Sequence, residues 1–331
     1  MYTPSVTATS WRRRARGGAA AVLLTLVALW IVPAAASPRS PTIPAAPVAG
    51  DGAGADNLSA ASAVVLGLVE GLTEYLPVSS TGHLLVANDA LGLGGTPESD
   101  KALDAYAICI QAGAILAVLV LYQRRVRQML DGLVGRSAEG RAVLIAVVAA
   151  FVPTAVIGLA FKDVVRERLF GVGPVAAAWL VGGVVILVLE RQGFLRRPGA
   201  ALHQVTLRQA LAIGLCQTVA LWPGTSRSLV TIIGAVAVGL SLEAAVEFSF
   251  LLGLITLGAA TVLTGASDGQ LMLDTFGVVT PLIGLVVAFA AAVVSVRWMV
   301  TWLQQRSFDV FGWYRLVIGV AAVGLLGAGI L

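Results

Sequence analysis

Charged side chains are scarce in this chain. They make up 12% of its 331 residues, about half the share of roughly 25% usual in soluble domains, while 58% of the residues are hydrophobic. That balance excludes a soluble catalytic domain and implies an integral membrane protein. Cysteine is nearly absent. Cys109 and Cys216 each lie inside an apolar segment, without CxxC spacing, and read as small buried hydrophobes rather than a redox or metal centre. A strong charge of one sign is missing too. The formal net charge is +4, and it comes from arginines clustered between apolar runs. That pattern marks membrane topology and not nucleic-acid binding.

What is abundant is apolar sequence. Runs fall near 58–76, 78–92, 103–122, 142–161, 173–190, 207–222, 224–240, 244–264, 276–297 and 313–331, and a span needs about 20 such residues. Ahead of them comes a three-part leader: the basic WRRRAR, the uncharged GGAAAVLLTLVALWIV, and an A-x-A site ending at Ala36. Residues 1–36 therefore read as a secretory signal peptide or a retained anchor helix. Either places residue 37 outside the cytoplasm. Residues 37–57, rich in Pro, Ala and Gly, read as a flexible linker. Residues 58–331 read as the membrane domain.

Two pairs of runs are unusual. Residues 58–76 and 78–92 are joined only by LPVSS, and 207–222 and 224–240 only by WPGTSRS. Proline removes a backbone donor and clashes with the previous turn, so both pairs are broken helices. Broken helices at matching places in two halves point to an inverted repeat with a midplane site. The breaks also match in sequence: Gly67 with Gly214, Glu70 with Gln217, Pro77 with Pro223. The connections near 123–141 and 191–208 are the most basic and are expected to face the cytoplasm. The expected fold is thus all-α: six transmembrane helices and two re-entrant hairpins, in antiparallel halves of about 58–190 and 207–331.

The first break carries chemistry that an apolar run does not need. Glu70 and Glu74 are four residues apart and share one helix face. Mid-bilayer carboxylates are costly, by about 2.5–3.5 kcal/mol each, and two of them invite a divalent metal or a guanidinium. Ser79, Ser80 and Thr81 open the second helix of the hairpin, where free N–H groups attract anions or the hydroxyls act as ordinary caps. His83, one of two histidines, lies a turn further and can serve as acid, base or nucleophile. In the second break, Arg227 needs an anionic partner, either phosphate held bidentately or a structural glutamate. Ser226, Ser228 and Thr231 add donors. The set fits phosphoryl transfer on a partly lipidic substrate, which rests on positioning and charge neutralisation.

EGLTEYLPVSSTGHL and PGTSRSLVT closely resemble the two signature motifs of the bacterial undecaprenyl-diphosphate phosphatases of the bacitracin-resistance type. The resemblance runs from about residue 60 to the C-terminus. It implies hydrolysis of undecaprenyl diphosphate to undecaprenyl phosphate and inorganic phosphate, which recycles the carrier lipid for the cell wall. It further implies a divalent cation, Mg²⁺ or Ca²⁺, at Glu70 and Glu74. Ser79, Ser80 and Thr81 would line the phosphate site, His83 would be the catalytic histidine, and Ser226 and Arg227 would grip the diphosphate with Ser228 and Thr231 nearby. The nucleophile is expected to be Ser80 or His83. The expected setting is the bacterial plasma membrane, with the site facing outward. The partners are a polyprenyl diphosphate and the bilayer, without nucleic acid; a homodimer is compatible with a sequence that fixes no oligomeric state. The competing reading is a transporter or flippase of undecaprenyl phosphate, since inverted repeats with midplane sites characterise transporters.

Overall fold

The structure is a computed structural model that describes residues 58–330; the expected signal or anchor (1–36) and linker (37–57) lie outside them. Apart from one isolated bridge between Ala200 and Leu240, the described residues form helices and their connections. Six are long and apolar enough to cross a membrane: α3 (Pro97–Leu121), α5 (Ala138–Leu169), α6 (Val172–Arg191), α9 (Leu242–Phe276), α10 (Val279–Gln305) and α11 (Asp309–Gly327). Three of their starts are set by polar caps. Ser137 and Ser241 accept from amides three residues on, and Thr96 does so with Pro97 next to it, the arrangement that satisfies orphan helix donors. Outward faces are apolar, with Leu159, Val262 and Val317 largely exposed, as a lipid environment requires.

The four helices that flank the breaks are too short to span. α1 (Ala60–Thr73) and α2 (Ser80–Ala90) pack on each other across the first break, and α7 (Leu207–Gln217) and α8 (Arg227–Ala237) across the second. The longest has 14 residues and rises about 21 Å, against a hydrocarbon core of about 30 Å. Both second helices begin just after a serine with positive φ, Ser79 at 75° and Ser226 at 76°. These are the only such non-glycine residues among those described.

The halves embrace each other. α1 lies along α10 of the other half and α7 along α5, while α3 packs on α9 and α6 on α11. The matched glycines mark the exchange. A Cβ on Gly67 would overlap the carbonyl of Gly284 in α10, and one on Gly214 the carbonyl of Ala150 in α5.

Two features depart from expectation. The basic stretch after α3 contains a further helix, α4 (Gln123–Leu133), where a plain connection was expected. The connection near 265–275 is instead the continuation of α9, which runs to Phe276. A helix satisfies its own amides whatever surrounds it, so it need not stop where hydropathy falls. Lys101 at the start of α3 meets Asp268 in this extension at 2.8 Å.

Candidate active site

The two breaks meet. Glu74 closes α1 and Ser80 opens α2, six residues later, and the Ser80 hydroxyl donates to Glu74 Oε2. The other oxygen, Oε1, accepts from Arg227 Nη2 at 3.2 Å. Arg227 is the first residue of α8, so one carboxylate joins the starts of both second helices. Arg227 Nη1 donates to the Ser249 carbonyl of α9 at 2.9 Å, and its guanidinium lies 5.3 Å from the centre of the Tyr75 ring. Its Nε has no partner. α9 makes room with Gly253, where a Cβ would come within 2.6 Å of Nη1. Glu70, one turn before Glu74, packs against Glu74 and Ser80. It is 1% exposed, and its Oε1 is unpartnered.

A cavity of about 180 Å³ opens beside this group. One wall carries Glu74, Ser79, Ser80, Thr81, Ser226 and Arg227. The lining also includes Gln111, Thr154, Gln217 and Thr256. Gln217 stands where Glu70 stands in the other half, and its amide donates to Thr154 at 2.9 Å and Thr256 at 3.4 Å. The cavity lining is therefore acidic and hydroxylic on the first hairpin, cationic on the second, and elsewhere neutral but polar.

The turn that presents Ser79 and Ser80 is held by its carbonyls. Leu76 O accepts from Ser228 Oγ at 2.8 Å and Ser226 Oγ at 3.4 Å. Pro77 O accepts from Arg315 at 3.2 Å and Val78 O from Trp179 at 2.9 Å. Ser79 O accepts from His83 Nδ1 at 2.6 Å. Four successive carbonyls are thus claimed by side chains, and the free amides at the start of α2 are left as anion donors. Strain at Ser79, of order 1–3 kcal/mol, persists because its surroundings over-determine it.

Most expected site residues converge here: Glu70, Glu74, Ser79, Ser80, Thr81, Ser226 and Arg227. Ser228 supports the turn instead. Thr231 bonds Ser249 Oγ at 2.7 Å and the Arg227 carbonyl at 2.8 Å, which steadies the start of α8. His83 is placed apart. Its Nε2 sits 2.8 Å from Tyr314 Oη, its ring stacks on Tyr314, and it borders an apolar groove between α1, α10 and α11, not the cavity. Among the described residues no three carboxylate, imidazole or thiol groups gather as a metal cage.

Sequence reading missed the neutral lining residues Gln111, Thr154 and Thr256 and the clamps Trp179 and Arg315. Arg315 had left a signal, as a lone arginine within the last apolar run. Gln217 had left one too, as the match of Glu70 in the second break, whereas Gln111, Thr154 and Thr256 had left none, since both residue types are common in helices.

Comparison with known proteins gives the same picture. The chain is 45% identical to an undecaprenyl-diphosphatase of Sorangium cellulosum over 80% of its own length and 85% of the relative's. It is 41% identical to undecaprenyl-diphosphatase 1 of Chromobacterium violaceum, over 81% and 96%, and 41% to undecaprenyl-diphosphatase 2 of Rhodospirillum rubrum, over 81% and 95%. A family model described as bacitracin resistance protein BacA matches residues 63–321, a stretch that holds both breaks, five whole spans and most of the sixth. With paired hairpins, crossed halves and both motifs in one cavity, this chain belongs to the BacA family.

Proposed function

We propose that this protein hydrolyses undecaprenyl diphosphate to undecaprenyl phosphate and inorganic phosphate, the activity for which its relatives are named, and so recycles the carrier lipid and confers bacitracin resistance. One observation carries the reading: Ser80, Glu74 and Arg227 form a continuous hydrogen-bonded line where two helix starts meet. A hydroxyl bonded to a carboxylate is the arrangement of a nucleophile with its base.

The diphosphate enters between the helix starts, where amides and dipoles favour negative charge. Arg227 turns from Glu74 to the phosphate, which its planar fork fits. Ser80 Oγ bonds to the terminal phosphorus while Glu74 takes its proton. The bond from that phosphorus to the bridging oxygen breaks, and undecaprenyl phosphate leaves. Water then attacks the serine phosphate, inorganic phosphate departs, and Ser80 regains its proton. The unpartnered Oε1 of Glu70 beside Glu74 suits a divalent cation, Mg²⁺ or Ca²⁺, which these two carboxylates would hold. When bound it would neutralise phosphate charge. His83, engaged by Ser79 and Tyr314, fits the shaping of the turn better than attack on phosphorus.

The basic connections support a plasma-membrane orientation with the site open to the outer face. A transporter of undecaprenyl phosphate is the alternative, supported by the crossed halves. Phosphate release from undecaprenyl diphosphate in detergent, with and without chelator, separates the two. Turnover is expected to stop with chelator and to fall about 10²–10⁴-fold in Glu74→Gln, and Ser80→Ala should abolish a labelled phosphoenzyme. Lipid translocation in vesicles without phosphate release would refute the phosphatase.

A further inference from the structure

Among the described residues, the bulkiest fully buried side chain is an arginine. Arg315 of α11 is 0% exposed. Among the described residues it has no acidic partner. Its fork ends on carbonyls alone: Nη1 on Pro77 O at 3.2 Å, Nη2 on Ala178 O at 2.8 Å and on Gly224 O at 2.9 Å. Pro77 belongs to the first break and Gly224 to the second. One guanidinium therefore spans from turn to turn, with α6 as its base. The third contact has a fitted seat, because a Cβ on Gly182 of α6 would stand 2.7 Å from both Nε and Cζ of Arg315.

This arrangement is costly and is not needed to pack a helix. Burying a cation is tolerated only with partners, and a nonpolar side chain would fill the place at less cost. What only a planar fork supplies is fixed geometry between carbonyls on separate elements. The residue after Pro77 and Val78 is the strained Ser79, and two residues after Gly224 comes the strained Ser226. Each leads directly into a residue of the reactive line.

We propose that Arg315 is a positioning residue that latches the two turns, so that Ser80 and Arg227 keep one mutual geometry during the reaction. The reaction it serves is the hydrolysis proposed above. Arg315 does not line the cavity and reaches its wall only through the Gly224 carbonyl, so it acts on the reaction through the turns.

The test uses full-length protein in detergent, with undecaprenyl diphosphate kinetics and the ¹⁹F resonance of fluorotryptophan at Trp222, next to the second turn. Arg315→Met and Arg315→Lys are expected to lower kcat about 100-fold, the scale of an ångström-sized misplacement, with KM little changed. The Trp222 resonance should shift or broaden in both. Gly182→Ala keeps the charge but displaces the fork, and should give a smaller loss of the same kind; it carries the test if Arg315→Met does not fold. Wild-type kcat in Arg315→Met, full rescue by lysine, or an unmoved Trp222 resonance in Gly182→Ala would overturn the latch. Should the unaltered protein release no phosphate, the hydrolysis is wrong, and the Trp222 resonance alone still decides the latch.

Discussion

At Glu74 one carboxylate answers a hydroxyl and a guanidinium, and neither donor is interchangeable. Lysine at 227 would offer a point charge in place of a fork. Losing one charged hydrogen bond costs about 1.5–3 kcal/mol, so Arg227→Lys should lower kcat/KM roughly 10- to 100-fold in steady-state assays. Gly253→Ala should act in the same direction, because the added methyl meets Arg227 Nη1. His83→Phe should reduce turnover far less than Ser80→Ala, since it removes a clamp on Ser79 and leaves the Ser80–Glu74 bond. An equal loss in both would return His83 to the chemistry. At this scale the site was legible where residues defied their surroundings: acids, arginine and clustered hydroxyls inside apolar runs. It was illegible where direction matters. Spacing placed His83 one turn beyond Ser79, but only the fold shows the ring turned toward Tyr314.

At the scale of elements, close approach decides. Gly67 and Gly214 each admit a backbone carbonyl of the opposite half. Overpacking of this kind costs typically 1–3 kcal/mol. Gly67→Ala and Gly214→Ala should therefore lower the thermal midpoint in detergent, and by similar amounts if the repeat is as even as its packing. Ser79 makes no side-chain cap bond and holds positive φ, so Ser79→Gly should leave the midpoint unchanged or raise it, through relief of about 1 kcal/mol of backbone strain. The hairpins were readable because proline and hydroxyls punctuate them. α4 was not, because an amphipathic helix of 11 residues among arginines resembles a basic connection. Arg125 ties it to Glu247 at 2.7 Å and Glu139 at 3.2 Å, contacts set by tertiary structure.

For the whole molecule, the six spans followed from hydropathy, whereas their crossed packing did not, since no local pattern names a partner. The proposed orientation can be checked directly. Cysteine at Gly94, before α3, should react with an impermeant maleimide in intact cells, and cysteine at Gly135, beyond α3, only after permeabilisation. The crossed packing also governs biosynthesis. The first hairpin emerges early, yet its seat on α10 is translated about 200 residues later, roughly 10–40 s at 5–20 residues per second. Through that interval the hairpin waits, acids included, without its resting place. The nascent chain must be sheltered by the insertion machinery or a chaperone until the closing half arrives, so truncations ending before Val279 should be degraded instead of accumulating as half-proteins.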